Sequence, residues 1–418
     1  MRSWLIPLIV FDLAFMPMFH FLGAPVKPSY VAIGFVFLAH LTAGTVFTKY
    51  LARELLLLCV LLIIVTLTGA AVLLLGYYGS DVNMSARSIL IFLLAPMAFV
   101  VGASNSRPSH SYVIPLIFAY SAITIVFSFF YQQLGWIVSF YDLEKRVEEG
   151  LYAYRSQGLF QEANVSALSL TMLFLLFILG SKYGFVRTGP LSAGLVMVSV
   201  LSANVFLISR NQIIATFLLM VVFYGFVRKA WKYWIVGGLI LASGVFLMIS
   251  LESRGGLRIS KEAYPALEQA WYYLRMVTES ESATDNYLRP AQRLDPALAR
   301  WSASPLIGTG LDVTGSEPFE GTYYHNDWLY ILTSSGIIGV LVFATIVLVL
   351  GRLDVVLLIP FILPGAVNTL IFAPSHLLLL MLIAGIVWRR KILDREWVSG
   401  EKSVRCHVPT SGSLADAG

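Results

Sequence analysis

Apolar residues in this chain come in blocks of roughly 18–22, each long enough to cross about 30 Å of hydrocarbon. Of 418 residues, 58% are hydrophobic and 13% charged, and the mean hydropathy is +0.78. Soluble domains carry roughly 25% charged residues and about 45–50% apolar ones even with glycine counted. A water-soluble fold of this size has no way to hide so much apolar surface. The composition therefore excludes a soluble enzyme and predicts an all-α polytopic membrane protein.

Windows of about 19 residues give twelve candidate spans, near 4–21, 30–48, 55–77, 88–104, 112–131, 164–181, 190–209, 212–227, 233–251, 326–350, 354–372 and 376–388. The first holds Asp12 and Pro17 and no small-residue cleavage site follows it, which argues against a cleaved signal peptide. Lys and Arg gather on alternate connections: Arg2, Lys49, Arg53, Arg107, Lys182, Arg187, Arg228, Lys229, Lys232, Arg352 and the run Arg389-Arg390-Lys391. By the positive-inside rule these face the cytoplasm, and an even number of spans puts both termini there. The chain then divides into residues 1–251 with nine transmembrane helices and a first outer loop at 132–163, a large outer loop at 252–325, three more helices at 326–388, and a tail at 389–418. The tail is expected to be solvated and disordered. Within the large loop, Lys261–Met276 has apolar residues at helical spacing and is expected to form an amphipathic helix on the membrane or against the bundle.

Several chemistries are excluded. Cys59 and Cys406 have no spacing for zinc, haem or a cluster, no structural disulfide is expected, and no Cys/His cluster can hold a metal. No phosphate loop or dinucleotide fingerprint occurs, so neither an ATP-driven pump nor a dinucleotide enzyme is expected, and no cofactor. The acidic triplets Asp142-Leu143-Glu144 and Glu279-Ser280-Glu281 read as solvated faces. The net charge of +5 is spread over short loops, which reports orientation rather than nucleic-acid binding. Ionisable residues inside spans are few: Asp12, His20 and His40, with Glu54 at an edge. Asp12 and His20 are eight apart and could share a helix face, yet four scattered groups make a poor proton relay.

The outer boundary is richer. Arg210 opens the eighth span, where unpaired N–H groups and a partial positive charge already favour an anion. A guanidinium there makes a site for phosphate or pyrophosphate; the bland alternative is an arginine snorkelling to the interface. His325 has a similar place before the tenth span, behind Tyr323 and Tyr324. The positive end of a helix would keep its ring neutral and able to accept a proton, while Asp327 would push the other way.

Taken together, Gly308-Thr309-Gly310, His325-Asn326 and Gly336-Ile337-Ile338-Gly339 give GxG followed by HN-x9-GxxG. This resembles the signature of the O-antigen ligase/polymerase superfamily. Ser209-Arg210 matches that family's SR element, and Arg155-x-x-Gly158-Leu159-Phe160-x-x-x-Asn164 is similar to its first-loop motif. The chain departs from the family at Asn211-Gln212, where glycines are common, and at Ala163, where proline is common.

The resemblance implies a metal-independent membrane glycosyltransferase of the GT-C type, in a bacterial inner membrane, with its active site at the periplasmic face. Its donor would be a glycan on undecaprenyl pyrophosphate. Arg210, with Arg289 or Arg293, would hold the pyrophosphate and stabilise its charge as it leaves. His325 would position or deprotonate the acceptor hydroxyl. Arg155, Asn164, Asn326, Gly308 and Gly310 would line the substrate site. The acceptor would be a second glycan, for a repeat-unit polymerase, or lipid A–core, for an O-antigen ligase; other polysaccharide assembly proteins are candidate partners. The polymerase is preferred, because nothing marks a site for lipid A–core. A flippase for the lipid-linked sugar is the reading from a different class, but it would show matching halves and broken helices near the midplane.

Overall fold

The computed structural model describes residues 4–16, 19–21, 24–42, 60, 63–70, 82–104, 110–130, 163–207, 210–227, 297–310, 327–359 and 374–405. These residues are helical apart from short connections and one small hairpin. The longer helices are α1 (Leu5–Phe15), α2 (Pro28–Thr42), α3 (Val82–Ala103), α4 (Val113–Phe130), α5 (Ala163–Lys182), α6 (Pro190–Phe206), α7 (Arg210–Val222), α8 (Asp327–Leu353) and α9 (Pro374–Arg405). The strands β1 (Phe19–Phe21) and β2 (Ala24–Val26) pair antiparallel, with His20 opposite Pro25.

The first expected span, 4–21, is not one helix. Pro17 disfavours helical geometry in the residue before it, and Met16 is extended at φ −80°, ψ 141°. The helix stops at Phe15, so Asp12 on α1 and His20 on β1 do not share a helix face. Asp12 instead accepts the backbone N–H of Ser29 at 2.9 Å, in the first turn of α2. The fully buried Lys27 donates to the carbonyls of Asp12 and Leu13, both at 3.1 Å. The Asp12 carbonyl also accepts the Met16 N–H at 3.2 Å, so Lys27 adds a side-chain donor to the last turn of the helix that precedes the hairpin.

Two helices are buried nearly all round. In α5 the segment Val165–Lys182 has a mean hydropathy of 1.9 and 83% of it is buried. A helix apolar on every side belongs inside a bundle or a membrane. In α9 the residues from Ser375 to Trp388 are buried, and this half lies along α3. Glycines set that approach: a Cβ on Gly102 would overlap the Leu382 carbonyl, and one on Gly385 would overlap the Phe99 carbonyl. Small residues on both partners bring helix backbones together where lipid supplies no hydrophobic drive.

The outward faces are also apolar. Leu8, Phe35, Leu38, Leu191, Leu195, Val198, Leu341 and Leu348 are all exposed. Apolar faces of this extent suit hydrocarbon rather than water. Among the described residues two helices, Val165–Lys182 and Trp328–Leu353, are long and apolar enough to cross a membrane. Of the other expected spans, 233–251 lies outside the described residues, and 354–372 is described only at its start, where Val355–Leu358 is a 3-10 turn. The Lys261–Met276 segment is likewise outside them.

At the end of the bundle that the charge bias assigns to the cytoplasm, Asp354 ties three segments together. Its carboxylate accepts from Lys182 Nζ at 2.7 Å, Tyr183 Oη at 2.6 Å and the Val356 N–H at 3.0 Å. From α9, Arg390 Nε donates to the Tyr183 carbonyl at 3.1 Å and Lys391 Nζ to the Leu353 carbonyl. The helix then runs on to Arg405, into the segment expected to be a disordered tail. Leu-Ile apolar patterning ends near Ile392, but Glu, Lys and Arg beyond it are good helix formers in their own right.

Candidate functional site

The glycine motifs meet each other. Gly336 has φ 63° and ψ −162°, a conformation open essentially to glycine alone, and it breaks α8 in two. A break strands backbone donors and acceptors that must be paired where water is scarce. The loop 304–310 pairs them. The N–H groups of Thr309 and Gly310 donate to the carbonyls of Thr333 and Ser334 at 2.9 and 3.0 Å. In return, the N–H groups of Ile337 and Ile338 donate to the carbonyls of Pro305 and Leu306 at 3.0 and 3.3 Å.

The glycine spacing follows from this interlock. Gly308 and Gly310 have φ of 74° and 110°. A Cβ on Gly308 would overlap the Ser334 backbone, and one on Gly336 would overlap the Leu306 backbone. A Cβ on Gly339 would run into Ser335, which the break swings over it. Gly308 and Gly310, expected to line the substrate site, thus have backbone roles in joining two segments.

A buried arginine sits at the same junction. Arg300, 3% exposed on the helical stretch 297–303, donates through Nε to Thr309 Oγ1 at 2.6 Å. The neighbouring Trp301 donates through Nε1 to the Pro305 carbonyl at 3.1 Å, bracing the turn into the glycines. Sequence reasoning passed over Arg300 in favour of Arg289 and Arg293. Its signal was present: it directly precedes Trp301 on the stretch that leads into Gly308-Thr309-Gly310.

Arg210 is the first residue of α7, so its position at a helix N-terminus is as expected. The turn it opens carries an unusual polar stripe. Gln212 and Thr216, one turn apart, are both fully buried, on a helix that packs on α5 and α6. Asn204 of α6, also fully buried, donates through Nδ2 to Thr216 Oγ1 at 2.8 Å. Asn204 Oδ1 and both amide atoms of Gln212 have no hydrogen-bond partner. Each such group costs about 1–3 kcal/mol when buried.

Near the start of α5 and of α9 lies a second polar group. His376 Nε2 and Ser169 Oγ are 2.6 Å apart, both side chains buried. Beside them Tyr30 Oη and Ser375 Oγ are 3.3 Å apart, and Tyr120 Oη donates to the Ser166 carbonyl at 3.0 Å. His376 was missed because it opens an apolar run and looks like a span edge. Burial holds Lys27, on the adjoining connection, down to about 7, against the pull of Asp12.

Asn164 is the second residue of α5, at the end of the helix that carries Ser169. Arg155, Arg289, Arg293, His325 and Asn326 lie outside the described residues. Among the described residues, no group of three or more His, Cys, Asp or Glu could hold a metal ion. The chain matches no protein-family model and no curated protein.

Proposed function

We propose that this chain is a metal-independent glycosyltransferase of a bacterial inner membrane, acting at the periplasmic face on a glycan carried by undecaprenyl pyrophosphate. The observation that supports it most is the interlock of Gly308–Gly310 with the broken helix at Gly336. It gives the two glycine elements of the family-like motif one shared structural purpose, which chance glycines would not have. Arg210 at the first turn of α7 adds a site whose charge suits pyrophosphate.

In this reading Arg210, with Arg289 or Arg293, grips the pyrophosphate and neutralises charge as it departs. The acceptor hydroxyl gives its proton to His325 while its oxygen attacks the anomeric carbon. The bond from that carbon to the pyrophosphate oxygen breaks, and undecaprenyl pyrophosphate leaves, with inversion at the sugar. Twelve spans with both termini in the cytoplasm would put Arg210 and His325 on the same outer side. The acceptor is a second lipid-linked glycan, making the protein a repeat-unit polymerase.

The test is the length of lipid-linked glycans in a strain carrying His325→Ala. A polymerase variant accumulates single repeat units. A ligase variant accumulates long chains still on undecaprenyl pyrophosphate, because polymerisation precedes the blocked step. Retention of donor at the cytoplasmic leaflet identifies a flippase, and unchanged glycan length and amount remove the catalytic role of His325.

A further inference from the structure

Three polar atoms in the outer part of the α6–α7 pair are buried with unused hydrogen-bonding capacity: Asn204 Oδ1, Gln212 Oε1 and Gln212 Nε2. Both side chains have no exposed surface, and the bond from Asn204 to Thr216 leaves these atoms over. An apolar residue of similar size would pack at position 212 without that cost. Ala215, Leu219 and Phe223 on the same buried face are all apolar.

Position matters as much as burial. Gln212 is the third residue of α7, and side chains on a helix tilt toward its N-terminus. Its amide therefore leans toward the first turn, where backbone N–H groups lack intrahelical acceptors and the helix dipole is positive. Arg210 opens that turn. One end of the site thus favours an anion, and the neighbouring part offers neutral amides.

The amides narrow the chemistry further. A phosphate wants donors and cations, and a metal wants acceptors; a carboxamide offers an acceptor and a two-hydrogen donor at once. The match is a group that both gives and takes hydrogen bonds, such as a sugar hydroxyl or an acetamido substituent. A ligand with an anionic diphosphate followed directly by a sugar ring fits both halves.

We propose that Gln212 and Asn204 recognise the sugar joined to the pyrophosphate of the lipid donor. This rests on the glycosyltransferase reading above and adds a recognition site for one part of its donor. It also gives a purpose to Gln212, one of the two residues at which the chain departs from the glycines that follow the SR element.

The experiment is equilibrium binding to the full-length protein in nanodiscs, without acceptor. The probes are undecaprenyl pyrophosphate alone and the same lipid bearing N-acetylglucosamine or galactose. Wild-type protein should bind at least one sugar-bearing lipid about tenfold tighter than the bare lipid, the worth of one or two hydrogen bonds. Gln212→Met, which keeps the volume, should lose that preference while binding the bare lipid as before. Gln212→Ala provides the same comparison if the methionine variant does not fold. A variant that keeps the full sugar preference, or a wild type that shows none, overturns the inference and leaves the glycosyltransferase reading standing. A wild type that binds none of the three lipids overturns that reading, and the inference with it.

Discussion

The carbonyl of Thr333 accepts two hydrogen bonds from one residue, Thr309: the backbone N–H at 2.9 Å and the side-chain hydroxyl at 3.2 Å. Arg300 then donates to that hydroxyl, so a buried cation, a loop and a broken helix are fixed through a single threonine. With that of Thr309, four backbone hydrogen bonds join the loop 304–310 to α8.

Gly336→Ala should abolish the folded protein. It forces a side chain into a glycine-only conformation and into the Leu306 backbone, at a cost of about 3 kcal/mol or more. Gly184 also has positive φ, 73°, but open space around it, so Gly184→Ala should cost only about 1 kcal/mol. Folded yield and melting temperature in detergent compare the two. Equal stabilities would remove the interlock as a structural requirement.

Arg210→Ala should abolish glycan transfer while the protein still inserts. Arg210→Lys should restore little, since one ammonium does not reproduce a bidentate fork. Wild-type polymer levels in the alanine strain would reduce Arg210 to an interface anchor.

His110 should make stability depend on acidity. The ring is buried beside Phe185, with Nδ1 3.0 Å from Tyr112 Oη, and burial lowers its pKa from 6.5 to about 4. Between those values the unfolded chain binds a proton that the fold refuses. Stability should therefore be level above about pH 6.5 and fall by on the order of 3 kcal/mol as the pH drops to 4. Melting curves of wild type and His110→Asn, recorded across that range, should differ in slope. Identical slopes would assign the effect to other groups.

Reporter fusions after Ser104, Gly184 and Arg352 should report cytoplasm, and fusions within 255–320 the periplasm. A cytoplasmic result for the 255–320 region would separate His325 from any outer-leaflet donor and end the proposed mechanism.

The sequence by itself determined that the chain is helical and built for an apolar surrounding, because block length and hydropathy are properties of consecutive residues. It also marked Gly308, Gly310, Gly336 and Gly339 as unusual and placed Arg210 at a helix start. It misjudged residues 4–21, where Pro17 ends a helix that hydropathy carries onward, since apolar residues suit a strand as well as a helix. Only the tertiary structure decided that Gly308 faces Ser334, that Lys27 closes α1, and that Arg300 reaches Thr309. Nor could spacing reveal that Ser169 meets His376, 207 positions away. Such pairings depend on which faces of separate helices come together, and glycine contacts such as Gly102 on Leu382 set that, whereas periodicity along one helix does not.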